Sequence, residues 1–299
     1  MNLEQLLTES RNQDTLTIDQ ESSLGIVTLI NQEDHKVPLA IQAILPEIAL
    51  AVDCIVSALQ SGGRLFYLGA GTSGRIGILD ASECPPTYGT NPELVQGIIA
   101  GGPQAILRAV EGAEDSPLLA KEDLQNKQLT SSDILIGIAA SGRTPYVLGG
   151  LQYAKSLGCK TISLTCTPSS KMGAITDLSL TVLTGPEVIM GSTRMKAGSA
   201  QKMVLNMLTT ATMIRLGKVY SNLMVDVQAT NHKLQERAKL IVSLATGVDL
   251  DQASIALTKA NGSAKLAIIL LLTGASPEEG CQLLEQSKGF IPNSLNLER

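Results

Sequence analysis

The sequence predicts an α/β protein in which a doubly wound, parallel sheet of five strands is followed by a small helical C-terminal subdomain. Short apolar runs alternate with helical patterns between residues 63 and 183, which is the order of βαβ units with right-handed crossovers. The composition agrees, since 44% of the residues are apolar while Trp is absent and Phe occurs only twice. A core of Leu, Ile, Val, Ala and Met suits a parallel sheet between helices better than an aromatic-rich β-sandwich.

The chain divides into three expected segments. Residues 1–45 are polar and acidic, with helical patterns at 3–7 and 22–31. Residues 46–246 carry the βαβ pattern and the first long helices, and residues 247–299 form the helical subdomain. The helix predicted at 46–60 ends at Ser61-Gly62-Gly63, which is a C-cap signal.

Each element of the main domain follows from an apolar run or a helical periodicity. Strands are predicted at 65–68, 94–100, 134–139, 161–165 and 178–183. The helices between them are predicted at 74–82, 103–110, 118–125, 145–157 and 170–174. From residue 197 the pattern is helical, with helices predicted at 197–216, 228–244, 250–260, 263–272 and 277–287.

A glycine-rich turn, 69–74, joins the first strand to its helix and carries the candidate residues Gly71, Thr72 and Ser73. A strand, a tight glycine turn and a helix point backbone N–H groups at an anion. The turn also matches the dinucleotide fingerprint, but the second strand ends at 98–102 without the acidic residue that would hold a ribose. A phosphate or sugar-hydroxyl loop is therefore favoured over a dinucleotide site or a purely structural turn, and no P-loop motif is present.

Two further loops are candidates for ligand contacts. The turn after the third strand carries Ser141, Gly142, Arg143 and Thr144, with Pro145 at the expected start of a helix. It shares the carboxyl edge of the sheet with the first turn, where open α/β sheets bind ligands. The third loop carries Ser192, Thr193 and Lys196. For both loops, a simple capped helix start is the alternative interpretation.

Carboxylates that could perform acid–base chemistry occur in two places. Glu83 shares the first strand–turn–helix unit, and Pro85-Pro86 are expected to stop its helix and fix its backbone. Glu111, Glu114 and Asp115 follow the next helix, and spacing alone favours a solvated charge cluster there. The two histidines, His35 and His232, are expected to be structural or surface groups.

Composition narrows the class of protein. The net charge of −5 provides no field to recruit nucleic acid. The N-terminus lacks a signal-peptide pattern, and the longest apolar run, 266–272, is too short to span a bilayer. The five cysteines are scattered without metal-ligand spacing, which is typical of buried residues in a reducing cytosol. A cytoplasmic protein without a metal, cofactor, nucleic acid or membrane partner is expected.

Several motifs together resemble the N-acetylmuramic acid 6-phosphate etherases, which belong to the sugar isomerase (SIS) domain superfamily. They are TESRNQDT (8–15), GAGTSGRIGILDASECPPT (69–87), EGAEDS (111–116), AASGRTPYV (139–147), GSTRMKAGSAQKMVLN (191–206) and MVDVQATNHKL (224–234). The resemblance covers nearly the whole chain. It implies a SIS-type, flavodoxin-like fold, with 46–246 as the sugar-phosphate-binding domain.

The resemblance also implies an activity. The family cleaves the C3 ether that joins D-lactate to the sugar, which gives N-acetylglucosamine 6-phosphate in cell-wall amino-sugar recycling. Its two catalytic glutamates match Glu83 and Glu114, with Glu83 expected as the acid and Glu114 as the base. The family is homodimeric, and the long apolar helix from Ala197 and the N-terminal segment are expected at the shared surface.

Three alternatives use related sequence features. A sugar-phosphate isomerase would have the same loops but would not act on a lactyl ether. A non-catalytic sugar-phosphate sensor would keep the loops without needing Glu114; the vertebrate glucokinase regulatory protein shares the SECPPT-like and RMK-like segments. A SIS-type transcription regulator would need a basic helix-turn-helix ahead of the domain, and the sequence shows none.

Overall fold

The computed structural model describes residues 9–227, 232–291 and 295. The chain divides into two compact units, each built from two stretches of sequence. The first comprises Met1–Ser82 and Glu93–Thr209, and the second comprises Glu83–Pro92 and Thr210–Arg299. The predicted domain boundaries after residues 45 and 246 rest on the hydrophobic pattern of the sequence, whereas the two units are defined by their compactness in space. The predicted boundaries stay predictions. The helical pattern at 3–7 lies outside the described residues.

The first unit contains a five-stranded, fully parallel sheet. Its strands are β1 (Leu65–Gly69), β2 (Val95–Ile99), β3 (Ile134–Ile138), β4 (Lys160–Thr165) and β5 (Leu178–Thr181). They lie in the order β2-β1-β3-β4-β5, and Leu65 of β1 pairs with Val95 on one side and Ile134 on the other. The fold class is confirmed, and the strand ends differ from the predicted ones by one or two residues.

Helices precede the sheet, connect its strands and follow it. They are α1 (Ser23–Asp34), α2 (Lys36–Gln42), α3 (Leu45–Gln60), α4 (Gly71–Tyr88), α5 (Gln104–Leu107), α6 (Pro117–Asn126), α7 (Pro145–Ser156), α8 (Lys171–Ile175) and α9 (Lys196–Arg215). The sequence did not predict α2, and α5 is shorter than predicted because Arg108 adopts an extended conformation. Short 3₁₀ turns lie at Gln13–Thr15, Ile18–Gln20 and Ala113–Asp115.

The prediction that Pro85-Pro86 stop α4 is wrong. The helix contains both prolines and continues to Tyr88. Proline has no N–H, so the carbonyls of Ala81 and Ser82 lose their i→i+4 partners. The prolines lie close to the end of the helix, where few bonds remain to be lost, and Gly89 N still donates to the Pro85 carbonyl.

Apolar helix faces pack on the sheet and form a buried core with it. Fully buried members include Phe66 and Leu68 of β1, Leu135 of β3 and Val147 and Leu151 of α7. Strands buried on both faces read as continuous apolar runs, and β1 and β3 are buried at every position. This burial explains why the strands could be predicted so closely.

The described part of the second unit is mainly helical. It contains α10 (His232–Thr246), α11 (Leu250–Lys259), α12 (Ala264–Thr273) and α13 (Pro277–Gln286), around a core that includes Val242, Ala253 and Ile268. The start of the helix predicted at 228–244 lies outside the described residues. The buried Lys265 ammonium donates to the Gly217 carbonyl at 2.9 Å and to Asp226 at 2.6 Å. Burial lowers the pKa of Lys265, and Asp226 opposes this.

Within the described residues, no single helix has the length and apolarity needed to cross a membrane. Two bent helix pairs, Ser23–Gln42 with Leu45–Gln60 and His232–Thr246 with Leu250–Lys259, meet the requirement by length and composition alone.

Candidate active site

The main candidate site is a cavity of about 450 Å³ in the first unit, at the carboxyl ends of β1 and β3. The strand order reverses between these neighbours, and ligands of open α/β sheets bind at such a switch point. Four described charged residues line the cavity, namely Glu9, Glu114, Asp115 and Arg143. Hydroxyl-bearing residues line it as well, namely Thr72, Ser73, Ser141, Thr144 and Thr193.

The turn between β1 and α4 brings backbone close to this cavity. Gly71 has a φ of +52°, a conformation that glycine adopts without steric cost. Gly74 packs so closely on β2 that a Cβ would lie 2.6 Å from Ile99 Cγ1. Gly71, Thr72 and Ser73 all line the cavity, and their contacts to a ligand stay a prediction. Ser73 is also a structural contact, because its hydroxyl donates to Gln201 Oε1 of α9 at 2.9 Å.

The second turn presents the N-terminus of α7. Thr144 is the N-cap residue, but its side chain makes no capping hydrogen bond, so the alternative interpretation of a helix start capped by Thr144 is not supported. The first N–H groups of α7 therefore depend on another partner, such as an anion. Tyr146 fixes the start of the helix, because its hydroxyl donates to Asp123 Oδ2 of α6 at 2.6 Å. Burial, together with Asp123, raises the pKa of Tyr146.

Three of the four residues predicted in this turn, Ser141, Arg143 and Thr144, line the cavity. Gly142 has a structural part: its φ is +61°, and a Cβ there would lie 2.3 Å from Ser170 Cβ. Its carbonyl accepts a hydrogen bond from Met172 N. Close packing of the turn on the 170–172 segment thus fixes its shape.

Glu114 reaches the cavity from the 3₁₀ turn Ala113–Asp115. Ala113 is buried in the core of the sheet, whereas Glu114 and Asp115 are exposed and line the cavity. Gly112, with a φ of +73°, reverses the backbone just before this turn. Spacing alone favours a solvated charge cluster here. It does not show that the neighbouring alanine is buried and anchors these two acids at the site.

Glu83 lies on α4, where its side chain is exposed, and it belongs to the second unit. The described residues that line the cavity belong to the first unit. The pairing of Glu83 with Glu114 therefore stays a prediction.

The third loop contributes Thr193 to the cavity. Lys196 is engaged elsewhere: its ammonium is 1% exposed and pairs with Glu33 Oε2 of α1 at 2.5 Å. Glu187 caps α9, since its carboxylate accepts from the backbone N–H of Lys196 and of Ala197, both at 2.9 Å. The Ser192 N–H donates to the Ile189 carbonyl. The predicted ligand contacts of Ser192 and Lys196 stay predictions.

Glu9 lines the cavity, although the sequence interpretation gave it no part in the site. The following residues are tied to the 186–188 segment, because Thr15 Oγ1 donates to the Val188 carbonyl at 2.8 Å and Asn12 Nδ2 to the Pro186 carbonyl at 3.4 Å. The motif at 8–15 contains Glu9 and is the sequence signal for its place in the site. In the sequence it contributes only to the family resemblance.

Comparisons with known proteins agree with this fold. The family model described as the SIS domain matches residues 118–211, and the one described as the glucokinase regulatory protein N-terminal SIS domain matches residues 47–155. A phosphoheptose isomerase from Francisella tularensis has a similar fold, with a TM-score of 0.51 at 20% identity over 65% of this chain and 100% of that chain.

Curated relatives match almost end to end. A protein from Clostridioides difficile (strain 630) named N-acetylmuramic acid 6-phosphate etherase is 56% identical over 98% of this chain and 96% of its own. One from Aliivibrio fischeri (strain MJ11) with the same name is 57% identical over 99% of both. Identity at this level over the full length shows the family, so the chain belongs to the N-acetylmuramic acid 6-phosphate etherases.

Proposed function

We propose that the cavity between β1 and β3 is the active site of a carbon–oxygen lyase that cleaves the C3 lactyl ether of N-acetylmuramic acid 6-phosphate. The products are N-acetylglucosamine 6-phosphate and D-lactate. The observation that carries this proposal is the cavity itself, which combines a cationic, hydroxyl-rich turn at a helix N-terminus with the carboxylate of Glu114. The names of the full-length relatives supply the substrate.

The phosphate is assigned to the N-terminus of α7. Ser141, Arg143 and Thr144 line the cavity there, and the helix begins without a side-chain cap. Phosphate oxygens accept hydrogen bonds from free helix N–H groups, and the helix dipole favours their negative charge. The Arg143 guanidinium adds a charge-assisted contact. The turn at 71–73 then faces the sugar.

The chemistry is an elimination followed by addition of water. In the open-chain aldehyde, Glu114 removes the C2 proton, the C2–C3 double bond forms and the C3–oxygen bond breaks. Lactate takes up a proton from Glu83 as it leaves. Water then adds at C3 and a proton returns to C2, which gives N-acetylglucosamine 6-phosphate. A general acid and a general base each contribute roughly 10²–10⁴-fold to such a rate.

The two carboxylates are separated by replacing each in turn. In Glu83→Ala we expect the C2 hydrogen to exchange with D₂O while lactate release is nearly abolished, because the base remains and the acid is lost. In Glu114→Ala both processes fall together, since no base starts the reaction. NMR of the sugar in D₂O, run beside a lactate assay, measures both. Glu122→Ala, an exposed change on α6, is the control.

The opposite pattern of exchange would reverse the two roles. If neither substitution slowed lactate release by at least about tenfold, well below the usual effect of a lost acid or base, this pair would not be the catalytic one. If the wild-type protein bound the sugar phosphate and released no lactate, it would be a sensor rather than a lyase.

We also propose that the protein is a cytoplasmic homodimer. The apolar side chains of α9 near its start, such as Ala197, Ala200 and Val204, are buried in the first unit. Exposed apolar side chains lie instead on α1, α2 and α3, namely Leu24, Val27, Leu39, Leu45 and Leu50. Exposed apolar patches are characteristic of protein interfaces, and C₂ pairing is the commonest assembly. All five cysteines are free thiols, which fits a reducing compartment.

A further inference from the structure

A second, smaller cavity of about 220 Å³ adjoins the first. The two share Ala70, Gly71 and Glu114 as lining residues. The smaller one lies between the start of α4, the residue after β2, α5 and the 109–114 segment, all within the first unit.

The walls of this cavity are small and apolar, with one cation. Apart from the shared residues, the apolar lining consists of Ala100, Ala105, Ala109, Val110 and Ala113. Arg75 supplies the cation, and its Nε donates to the Ile106 carbonyl of α5 at 2.9 Å. This bond holds the guanidinium in place. Its two terminal amino groups have no hydrogen-bond partner among the described residues.

We propose that this smaller cavity binds the lactyl arm of the substrate, with the methyl group against the alanines and the carboxylate on Arg75. The proposal rests on the proposed function, since only an ether substrate carries this arm. A guanidinium recognises a carboxylate through paired hydrogen bonds, and a short 2-hydroxy acid offers only one methyl group to an apolar wall. Free D-lactate then leaves from the same cavity.

The position of Glu114 fits this arrangement. The proton to be removed is on C2 and the bond to be broken is on the neighbouring C3, so the base must stand where the sugar meets its lactyl arm. Glu114 lines both cavities. Glu111 also lines the smaller cavity, but it is exposed, so solvent screens its repulsion of a carboxylate.

Two variants test the assignment, one by blocking the space of the smaller cavity and the other by removing its positive charge. Ala109→Leu fills the cavity from an exposed position, which spares the core, and Arg75→Gln removes the cation. Each is assayed for the KM of lactate release from N-acetylmuramic acid 6-phosphate and for the Kd of N-acetylglucosamine 6-phosphate by calorimetry. The second ligand has the same sugar phosphate but no lactyl arm. Ala43→Leu and Arg237→Gln are matched controls at exposed positions on α2's C-terminal end and on α10.

We expect KM to rise at least about tenfold in Arg75→Gln, the usual loss for a charge-assisted contact. KM should also rise in Ala109→Leu, because the larger side chain occupies the space of the lactyl arm. The Kd of the product sugar should stay within about twofold of the wild-type value, because its contacts lie in the larger cavity. Arg75→Lys should recover part of the loss, since it keeps the charge. Inhibition by free D-lactate should weaken in Ala109→Leu and Arg75→Gln alone.

An unchanged KM in both variants would overturn the proposal. An equal loss of both ligands would also overturn it, because the residues would then only shape the site. Failure of the proposed function looks different: the wild-type protein and both controls would release no lactate at all.

Discussion

Arg143 is the one cation among the described residues that line the larger cavity. We therefore expect Arg143→Ala to raise the KM for N-acetylmuramic acid 6-phosphate by about tenfold or more, as for other lost charge-assisted contacts. The preference for this substrate over unphosphorylated N-acetylmuramic acid should shrink, because the lost contact is with the phosphate. A lactate assay on both sugars measures the preference.

Arg237→Ala, which removes an exposed arginine from α10, is the control for the change in net charge. Equal turnover of the two sugars by the wild-type protein, or an unchanged preference in Arg143→Ala, would remove the phosphate from this turn.

Some of the individual residues that line the cavity could be predicted from the sequence and others could not, for a physical reason. Ser141 and Arg143 directly follow a buried strand, so their place at the carboxyl edge follows from the strand. Glu9 comes from a segment without periodicity, and the residues that follow it are held by contacts of Asn12 and Thr15 to residues more than 170 positions away. No local pattern encodes such contacts. Glu114 needed the resemblance, because its anchor, Ala113, is an ordinary residue in the sequence.

Among the elements, α1 and the start of α9 are joined by the buried pair of Glu33 and Lys196. Burial by itself raises the pKa of Glu33, but hydrogen bonds from Lys196 and Lys36 outweigh this effect and lower the pKa to about 2. A lowered pKa stabilises the fold above the unfolded value of 4.5. This stabilisation, on the order of 3 kcal/mol at pH 7, is lost as the pH falls towards 2.

Glu33→Gln should therefore lower the free energy of unfolding at pH 7 by about 3 kcal/mol, with Lys196 left buried and unpaired. The difference from the wild-type protein should fall to about half by pH 3. Urea unfolding followed by circular dichroism measures it, since the chain has no Trp for fluorescence. Glu122→Gln is the exposed control, and a difference that does not depend on pH would refute the assignment of charge to this pair.

The end of helix α4 is a feature that the intrinsic helix propensity of its residues predicts wrongly. Two consecutive prolines predict a helix end, because each removes a hydrogen bond and costs about 3 kcal/mol in a helix interior. The helix nevertheless runs on to Tyr88. Cys84, the residue before the first proline, is buried, and packing of this kind outweighs intrinsic preference. The sequence around residue 85 shows the preference of proline to end a helix. It does not show how this segment packs in the folded protein.

For the whole molecule, assembly is the property to test. Leu24 is 74% exposed on α1, and Leu39 is 67% exposed on α2. We expect Leu24→Asp and Leu39→Asp to convert a dimer into monomers, since each places a charge in an apolar interface. Sedimentation at micromolar concentration measures the change.

Leu118→Asp makes the same change at a leucine of α6 that is 70% exposed, and it should leave the dimer intact. A wild-type protein that sediments as a monomer would contradict the proposed dimer.

The architecture as a whole was the easiest level to predict. Five strand-like runs separated by helical patterns allow few arrangements, because parallel neighbours need crossovers of one hand. The compact units were harder, since residues 83–92 lie inside the βαβ series but belong with the C-terminal helices. Hydrophobic periodicity describes neighbours along the chain and carries no information on such a pairing.

That interleaving has a consequence for how the protein is made. On the ribosome, the five strands and the start of α9 emerge before residue 210, so the sheet can form while the rest is still being synthesised. Residues 83–92 emerge early, yet their partners in the second unit follow only after Thr210. Translation proceeds at about 5–20 residues per second. The segment that contains Glu83 therefore lacks the rest of the second unit for the time needed to translate more than a hundred residues. We therefore expect the sheet to form during synthesis before the end of α4 can pack with the rest of the second unit.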